Sequence, residues 1–467
     1  MNELLQLSAT QQAALIRQRE LSSRELIEAH LEQIRLINPG LNAAIEVFEA
    51  EAIAEARTAD AAIARGEAIG PLHGVPFSIK DSIELAGRVC TAGTVGRKAA
   101  APSLEDATLV RRLRSAGAIP IAKTNLPDLL FAFESDNLIF GATNNPYDSA
   151  RTSGGSSGGD AALIAACGSP LGLGSDAAGS VRLPAAFCGI AGIKPTSGRL
   201  PRTGHFPPAG GWIEALWQIG PMARRIEDLS TAMALLVGPD GHDRTVVDIP
   251  FADPSRAKIP GLRIAFYTEA DAEVSRVVLK AADSLAREVL SVDEARPGCL
   301  ADAYDLEMKI LGADGGDSLW QYLADLGSTK VHPLLRSWLE KLEPYRVDLA
   351  GFQRYWAEWS AYRAEMHAFF QNYDVILCPV YTQPALLHGT STLDENFRGF
   401  SCTMAFNMTG WPAAVVRCGE SATGLPIGVQ VVAHPFREDV ALAVAGRLEE
   451  MFGGWKRSPK CPYSHRS

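Results

Sequence analysis

Residues 151–200 read RTSGGSSGGDAALIAACGSPLGLGSDAAGSVRLPAAFCGIAGIKPTSGRL, glycine and serine surrounding an apolar, alanine-rich run at 161–167. A flexible linker of glycine and serine has nothing to bury, so it would not carry that run. The stretch therefore predicts a Gly-Ser loop, a buried helix, a short strand at 171–174 and a second loop presenting Ser180. Glycine lets backbone approach a bound molecule and adopt positive φ, so two such loops around a helix predict a binding or catalytic site.

The flanking sequence predicts alternating helices and strands. Ser22 with Glu25 forms a capping-box pair, followed by leucines and isoleucines at helical spacing up to Ile37. Asn38-Pro39-Gly40 is expected to end that helix. Residues 43–48 predict a strand and 50–65 a helix, then VPFSIK a strand closing on Lys80 and Asp81. Residues 106–125 predict a helix and a strand ending near Lys123, which is read as structural or solvated. Gly220-Pro221 is expected to lead into an amphipathic helix. Residues 262–267 predict a strand, 274–292 a helix, and 301–372 mostly helix, with Trp320 and Trp338 among its aromatics. VILCPV, AAVV and IGVQVVA add strands before a helix at 439–451. Strands separated by helices throughout define an α/β layered sheet.

Composition narrows the function classes. The formal net charge of −10 disfavours nucleic-acid binding, which needs concentrated lysine and arginine. The sequence has no long uncharged apolar run and no basic, apolar leader, so no membrane span is expected and the location is expected to be cytoplasmic. Its 8 cysteines are scattered without a C-x-x-C pair and are expected to be reduced, buried thiols. The histidines lack metal-ligand spacing, no G-x-S-x-G occurs, and the glycine-rich loop lacks a G-K-[ST] ending. No metal, cofactor, Ser-His-Asp triad or nucleotide is therefore called for.

Lys80 has two readings from its residues alone: a surface lysine snorkelling from a strand end, or an amine held in a poorly solvated site with its pKa lowered. Phe131, Phe133 and Glu134 close the run LLFAFE, which is core or the wall of a pocket beside the serine loop.

GGSSGG at 154–159, GSDAAGSVRLPAAFCG at 174–189 and the following GIKPTSGR resemble the signature of the amidase signature hydrolases. GPLHGVPFSIKD, YDVILCPV, FNMTGWPA and GLPIGVQ fit the same family in order, with a weakly matched gap at 239–372. The resemblance implies a single-domain α/β/α sandwich over residues 1–467, around a large mixed β-sheet. N-terminal helices would occupy 1–66, the signature core 70–235, and 301–372 would be a variable segment able to shape a substrate pocket. It also implies a Ser-cisSer-Lys triad: Ser180 as nucleophile, Lys80 as general base, and Ser156 as proton relay after a cis Gly155–Ser156 bond. The oxyanion hole would use backbone N–H groups of Ala177, Ala178, Gly179 and Ser180. Ser175 would support the relay, and Asp176 and Arg182 would brace the loop as an ion pair. Ala178 stands where the family usually has glycine, so a positive φ there would strain the loop.

The activity so implied is cofactor-independent hydrolysis of an aryl or other apolar amide, extending to carbamates and esters. Phe131, Phe133, Glu134, Gly155 and Trp212 are the candidate substrate contacts, and Trp217 and Trp320 add to the aromatic character. The partner would be a small amide, carbamate or ester, with the chain acting alone or as a homodimer. The alternatives are the glutaminase subunit of a tRNA-dependent amidotransferase and an inactive amidase-like binding protein.

Overall fold

The computed structural model describes residues 3–458, apart from 209 and 211 and the side chains of 212 and 213. Its first strands are β1 (Ala44–Val47), β2 (Pro76–Lys80) and β3 (Ile119–Thr124). A small ribbon, β4 (Asn144–Asn145) with β5 (Asp148–Thr152), precedes the helix Gly158–Ala165. The signature stretch continues with β6 (Leu171–Asp176), the helix Arg182–Cys188 and β7 (Ala191–Lys194). Then come β8 (Gln218–Ala223), β9 (Arg263–Phe266) and β10 (Ser291–Glu294). Finally β11 (Val375–Pro379), β12 (Ala413–Glu420) and β13 (Pro426–Ala433) lead to the helix Glu438–Phe452.

All but β4 and β5 join one 11-stranded sheet in the order β1-β3-β2-β6-β8-β7-β12-β13-β11-β9-β10. β2 runs parallel to β3 and β6, β9 parallel to β10 and β11, and the central pairs are antiparallel, so the sheet is mixed. Alternation along the strands sends side chains to two faces. Phe77, Ile79, Leu171 and Leu173 join one apolar core with the helices Thr108–Ser115, Ile226–Leu236, Ala272–Leu285 and Glu438–Phe452. The opposite residues of the same strands, Ser78, Lys80, Gly172 and Gly174, meet the start of the helix Gly158–Ala165. A Cβ on Gly172 would lie 2.5 Å from Ser78 Oγ, and one on Gly174 2.7 Å from Ser157 Oγ. The two glycines of β6 are what let that helix approach the sheet.

Several elements differ from expectation for identifiable reasons. The Ser22–Glu25 capping box forms, but its helix runs over Ser23–Leu41 with Pro39 in its last turn. Asn42, at φ 52°, ends it, while the Asn38 side chain accepts from the Ala43 and Ala44 amides and starts β1. Gly220 and Pro221 lie inside β8, and the helix begins only at Ile226. A side chain at Gly220 would strike Ile193 O of the neighbouring β7. The helix expected over 274–292 stops at Leu285, because the chain turns to add β10 beside β9, and that edge pairing overrides local helical periodicity. Residues 301–372 are helical, over Ala303–Leu311, Asp317–Asp325, Pro333–Leu342 and Leu349–Phe369. Lys123 is buried, paired with Asp81 at 3.3 Å. The described cysteines are free and buried, and Cys461 lies outside the described residues. No helix among the described residues is long and apolar enough to cross a membrane.

Candidate active site

β2 and β6 are neighbouring parallel strands, so their C-terminal ends emerge together, carrying Lys80 on one and Ser175 and Asp176 on the other. Ser156 and Ser157 approach the same point from the loop before Gly158–Ala165. The Gly155–Ser156 peptide is cis. Lys80 Nζ lies 2.6 Å from Ser156 Oγ, 3.0 Å from Ser157 Oγ, 3.1 Å from Ser175 Oγ and 3.3 Å from Ser175 O. It is fully buried, and burial pulls its pKa from the ordinary lysine value down to about 7, against the opposing pull of Asp160 and Asp176. Of the two readings open for Lys80, the structure places it in the desolvated one.

The hydrogen bonds around Lys80 can be oriented one by one. His205 Nδ1 lies 3.1 Å from the Pro207 carbonyl oxygen, which can only accept, so Nδ1 carries the proton and Nε2 the lone pair. Burial takes the His205 pKa down to about 3, keeping the ring neutral. Nε2, 3.1 Å from Ser175 Oγ, therefore accepts the Ser175 hydroxyl proton. Ser157 donates its own proton to Ser175 O at 3.2 Å. Both hydroxyl oxygens are then acceptors toward Lys80, and a neutral amine has two N–H groups to give them. With both N–H groups given to these hydroxyls rather than to the more distant Ser175 O, the amine lone pair faces Ser156 Oγ. Sequence reasoning missed His205, which occurs in an irregular segment without any motif.

Ser180 follows β6 on the turn Ala177–Ala178–Gly179, and its carbonyl accepts from the Ser157 amide at 3.1 Å. Ser156 and Ser180 share one cavity wall without a hydrogen bond between their hydroxyls. The turn is held by Asp176, which accepts from the amides of Gly179 at 2.8 Å, Val181 at 3.1 Å and Arg182 at 3.3 Å. Arg182 closes a fork on both Asp176 oxygens, each at 2.9 Å. Its other donors reach Thr403 O, Gln430 Oε1 and Asn407 Oδ1. Burial alone would raise the Asp176 pKa, but the guanidinium and its companions hold it well below the carboxylate range.

Because its N–H is committed to Asp176, Gly179 does not offer a free donor. The amides of Ala177, Ala178 and Ser180 have no partner among the described residues. The strain considered for Ala178 is absent, since the positive φ falls at Gly179, at +123°. A Cβ at Gly179 would sit 2.3 Å from Thr403 Oγ1. Gly179→Ala is therefore expected to lower Tm by several degrees and kcat at least tenfold, read by calorimetry and steady-state kinetics.

The cavity holding both serines has a volume of about 130 Å³. Its walls are mostly apolar: Leu129, Leu130, Phe131, Phe133, Trp217 and Trp338 among others. Phe131 meets Trp338 edge-on at 6.0 Å, and Phe133 stacks on Phe400 at 3.5 Å. Glu134 is not on this wall. It is buried and accepts from the Gly389 and Ser391 amides, each at 2.8 Å, because the chain turns away after Phe133. Gly155 is also absent from the wall, and its Cα faces the Glu134 amide, where a Cβ would be 2.6 Å away. Trp212 opens the short helix Trp212–Leu216, and its side chain lies outside what is described. Trp320 does not reach the cavity. No cluster of metal-ligating side chains occurs among the described residues.

The chain belongs to the amidase family, whose model, described as Amidase, matches residues 25–442. It is similar to fatty-acid amide hydrolase 2 of Homo sapiens, 33% identical over 97% of this chain and 90% of that protein. It is equally similar to a glutamyl-tRNA(Gln) amidotransferase subunit of Synechococcus sp. (strain CC9605), 34% identical over 92% of this chain and 93% of the relative. Among solved structures, that of 6-aminohexanoate cyclic dimer hydrolase complexed with substrate superposes with TM-score 0.87 at 28% identity, covering 98% of this chain and all of that one. The protein is thus an amidase-family hydrolase acting on C–N bonds.

Proposed function

We propose that this protein hydrolyses an apolar amide, aryl- or chain-bearing, through an acyl-enzyme on Ser180. The observation that carries the reading is the 2.6 Å contact of a buried Lys80 amine with Ser156, beside Ser180 in one apolar cavity. Neutral Lys80 accepts the Ser156 proton as Ser156 accepts the proton of Ser180, whose oxygen attacks the carbonyl carbon. The free amides of Ala177, Ala178 and Ser180 stabilise the oxyanion. The proton returns through Ser156 to the leaving nitrogen as the C–N bond breaks, and water, activated by the same route, releases the acid. Carbamates and esters pass through the same tetrahedral intermediate. One chain suffices for this chemistry, and the N-terminal helices, signature core and segment 301–372 would work as one domain.

His205 serves as a positioning residue in this scheme, because its lone pair fixes which way Ser175, and hence the amine, points. His205→Phe keeps the packing on Trp217, 4.4 Å away, but removes the acceptor. We expect kcat to fall roughly ten- to hundredfold with KM little changed. A rise in KM at constant kcat would instead make His205, which lines the cavity, a substrate contact and not a positioning residue.

The reading is tested with an anilide, an aryl carbamate, a long-chain primary amide and glutamine. Cleavage of any of the first three supports it. Activity on glutamine alone would replace it with the amidotransferase reading, which the relatives of that name support and the apolar walls oppose. Silence on all four, with no phosphonate labelling of Ser180, would favour a binding protein.

A further inference from the structure

The proton relay leaves one buried carboxyl of the cavity unused. Glu307, on the helix Ala303–Leu311, is 1% exposed and lines the same cavity as Ser180. Its Oε2 has no hydrogen-bond partner among the described residues. Its neighbours in kind are all engaged. Asp160 accepts from Ser78 and Thr124, Asp176 is held by Arg182, and Glu134 caps two amides. Leaving a buried polar group unpaired is costly, so one kept on the wall of a ligand cavity calls for a partner on the ligand.

We propose that the Glu307 carboxyl is a substrate subsite that donates a hydrogen bond to a second, neutral carbonyl oxygen, distinct from the carbonyl undergoing attack. The proposal deepens the amide-hydrolase reading and rests on it. Burial raises the Glu307 pKa well above the carboxylate range, against the pull of Arg182 and with the push of Asp176, so the group meets a ligand as an O–H donor. A cationic group would have to leave its water among Leu311, Trp338 and Phe131. A plain hydrocarbon would leave the acid unpaired. The class that fits is an amide or carbamate carrying a further ester, amide, carbamate or keto carbonyl elsewhere in an otherwise apolar skeleton.

The test measures binding of hexanoyl anilide, and of isomers with an oxo group at successive chain positions, to the Ser180→Ala protein by calorimetry. At least one oxo isomer should bind about tenfold or more tighter than the parent. The preference should persist in Glu307→Gln and vanish in Glu307→Leu, which should gain affinity for the parent. Glu307→Met carries the same comparison if the leucine variant does not fold. Equal binding of all isomers, a preference that survives Glu307→Leu, or a stronger preference for an ω-ammonium analogue would overturn the proposal. Turnover by Ser180→Ala, assayed separately, would sink the nucleophile assignment without touching this binding comparison.

Discussion

Ser180→Ala is expected to lower kcat on any amide the wild type cleaves by roughly 10⁴- to 10⁶-fold, with KM and Tm close to those of the wild type. The size follows from the scheme: without Oγ there is nothing to acylate, and the relay from Lys80 through Ser156 has no terminus. The selectivity of the loss follows from packing. The turn that carries Ser180 is held through its backbone by Asp176 and Thr403, with the Arg182 guanidinium clamping the Asp176 carboxylate, and none of these bonds uses the Ser180 hydroxyl. The amides of Ala177, Ala178 and residue 180 persist in the variant, so a residual rate above that of water remains. Rates within tenfold of wild type, measured with anilide under single-turnover conditions, would remove Ser180 from the mechanism.

Lys80→Met should lose amide cleavage by about 10³-fold or more, and the wild-type pH profile should say why. With a folded pKa of about 7, the amine is protonated below neutrality, and kcat/KM should rise about tenfold per pH unit up to a midpoint near 7. The methionine variant should lack that limb. Stability carries the complementary sign. Between about 7 and the ordinary lysine value of 10.5, the unfolded chain holds a proton that the folded chain has released, so stability contributed by this group rises with pH across that window. Below 7 the folded protein buries a cation. The Tm of Lys80→Met relative to wild type should therefore be higher at pH 6 than at pH 9. A flat difference, or a rate profile without a limb near neutrality, would show Lys80 to be solvated in the working enzyme.

What could be read from residues alone follows the locality of the interactions. The Gly-Ser loop, the buried helix and β6 were legible because each is specified within a few residues. The meeting of Lys80, Ser156 and Ser175, with Ser180 on the same cavity wall, was implied only by the resemblance to a family whose motifs these residues carry. Glu134 was misplaced because whether LLFAFE continues along the wall or turns away depends on the loop at Gly389 and Ser391, some 250 residues later. The free amides of the serine turn could not be told from the committed one without knowing where the Asp176 carboxylate points. His205 gave no signal beyond its identity. Glu307 did give one: with Tyr304, Met308 and Leu311 it occupies the same face of the helix at three- and four-residue spacing, a charge where hydrocarbon should be.

The cage around Arg182 also sets when in a chain's life the site can exist. Asp176 and Arg182 are made early, but the groups that complete the guanidinium's coordination, Thr403 O, Asn407 Oδ1 and Gln430 Oε1, come more than 220 residues later. Until β13 has left the ribosome and paired with β12, the serine turn has a strong ion pair and no enclosure. A chain that stops before β13 would carry every residue of the proposed relay and still lack the groups that enclose its serine turn.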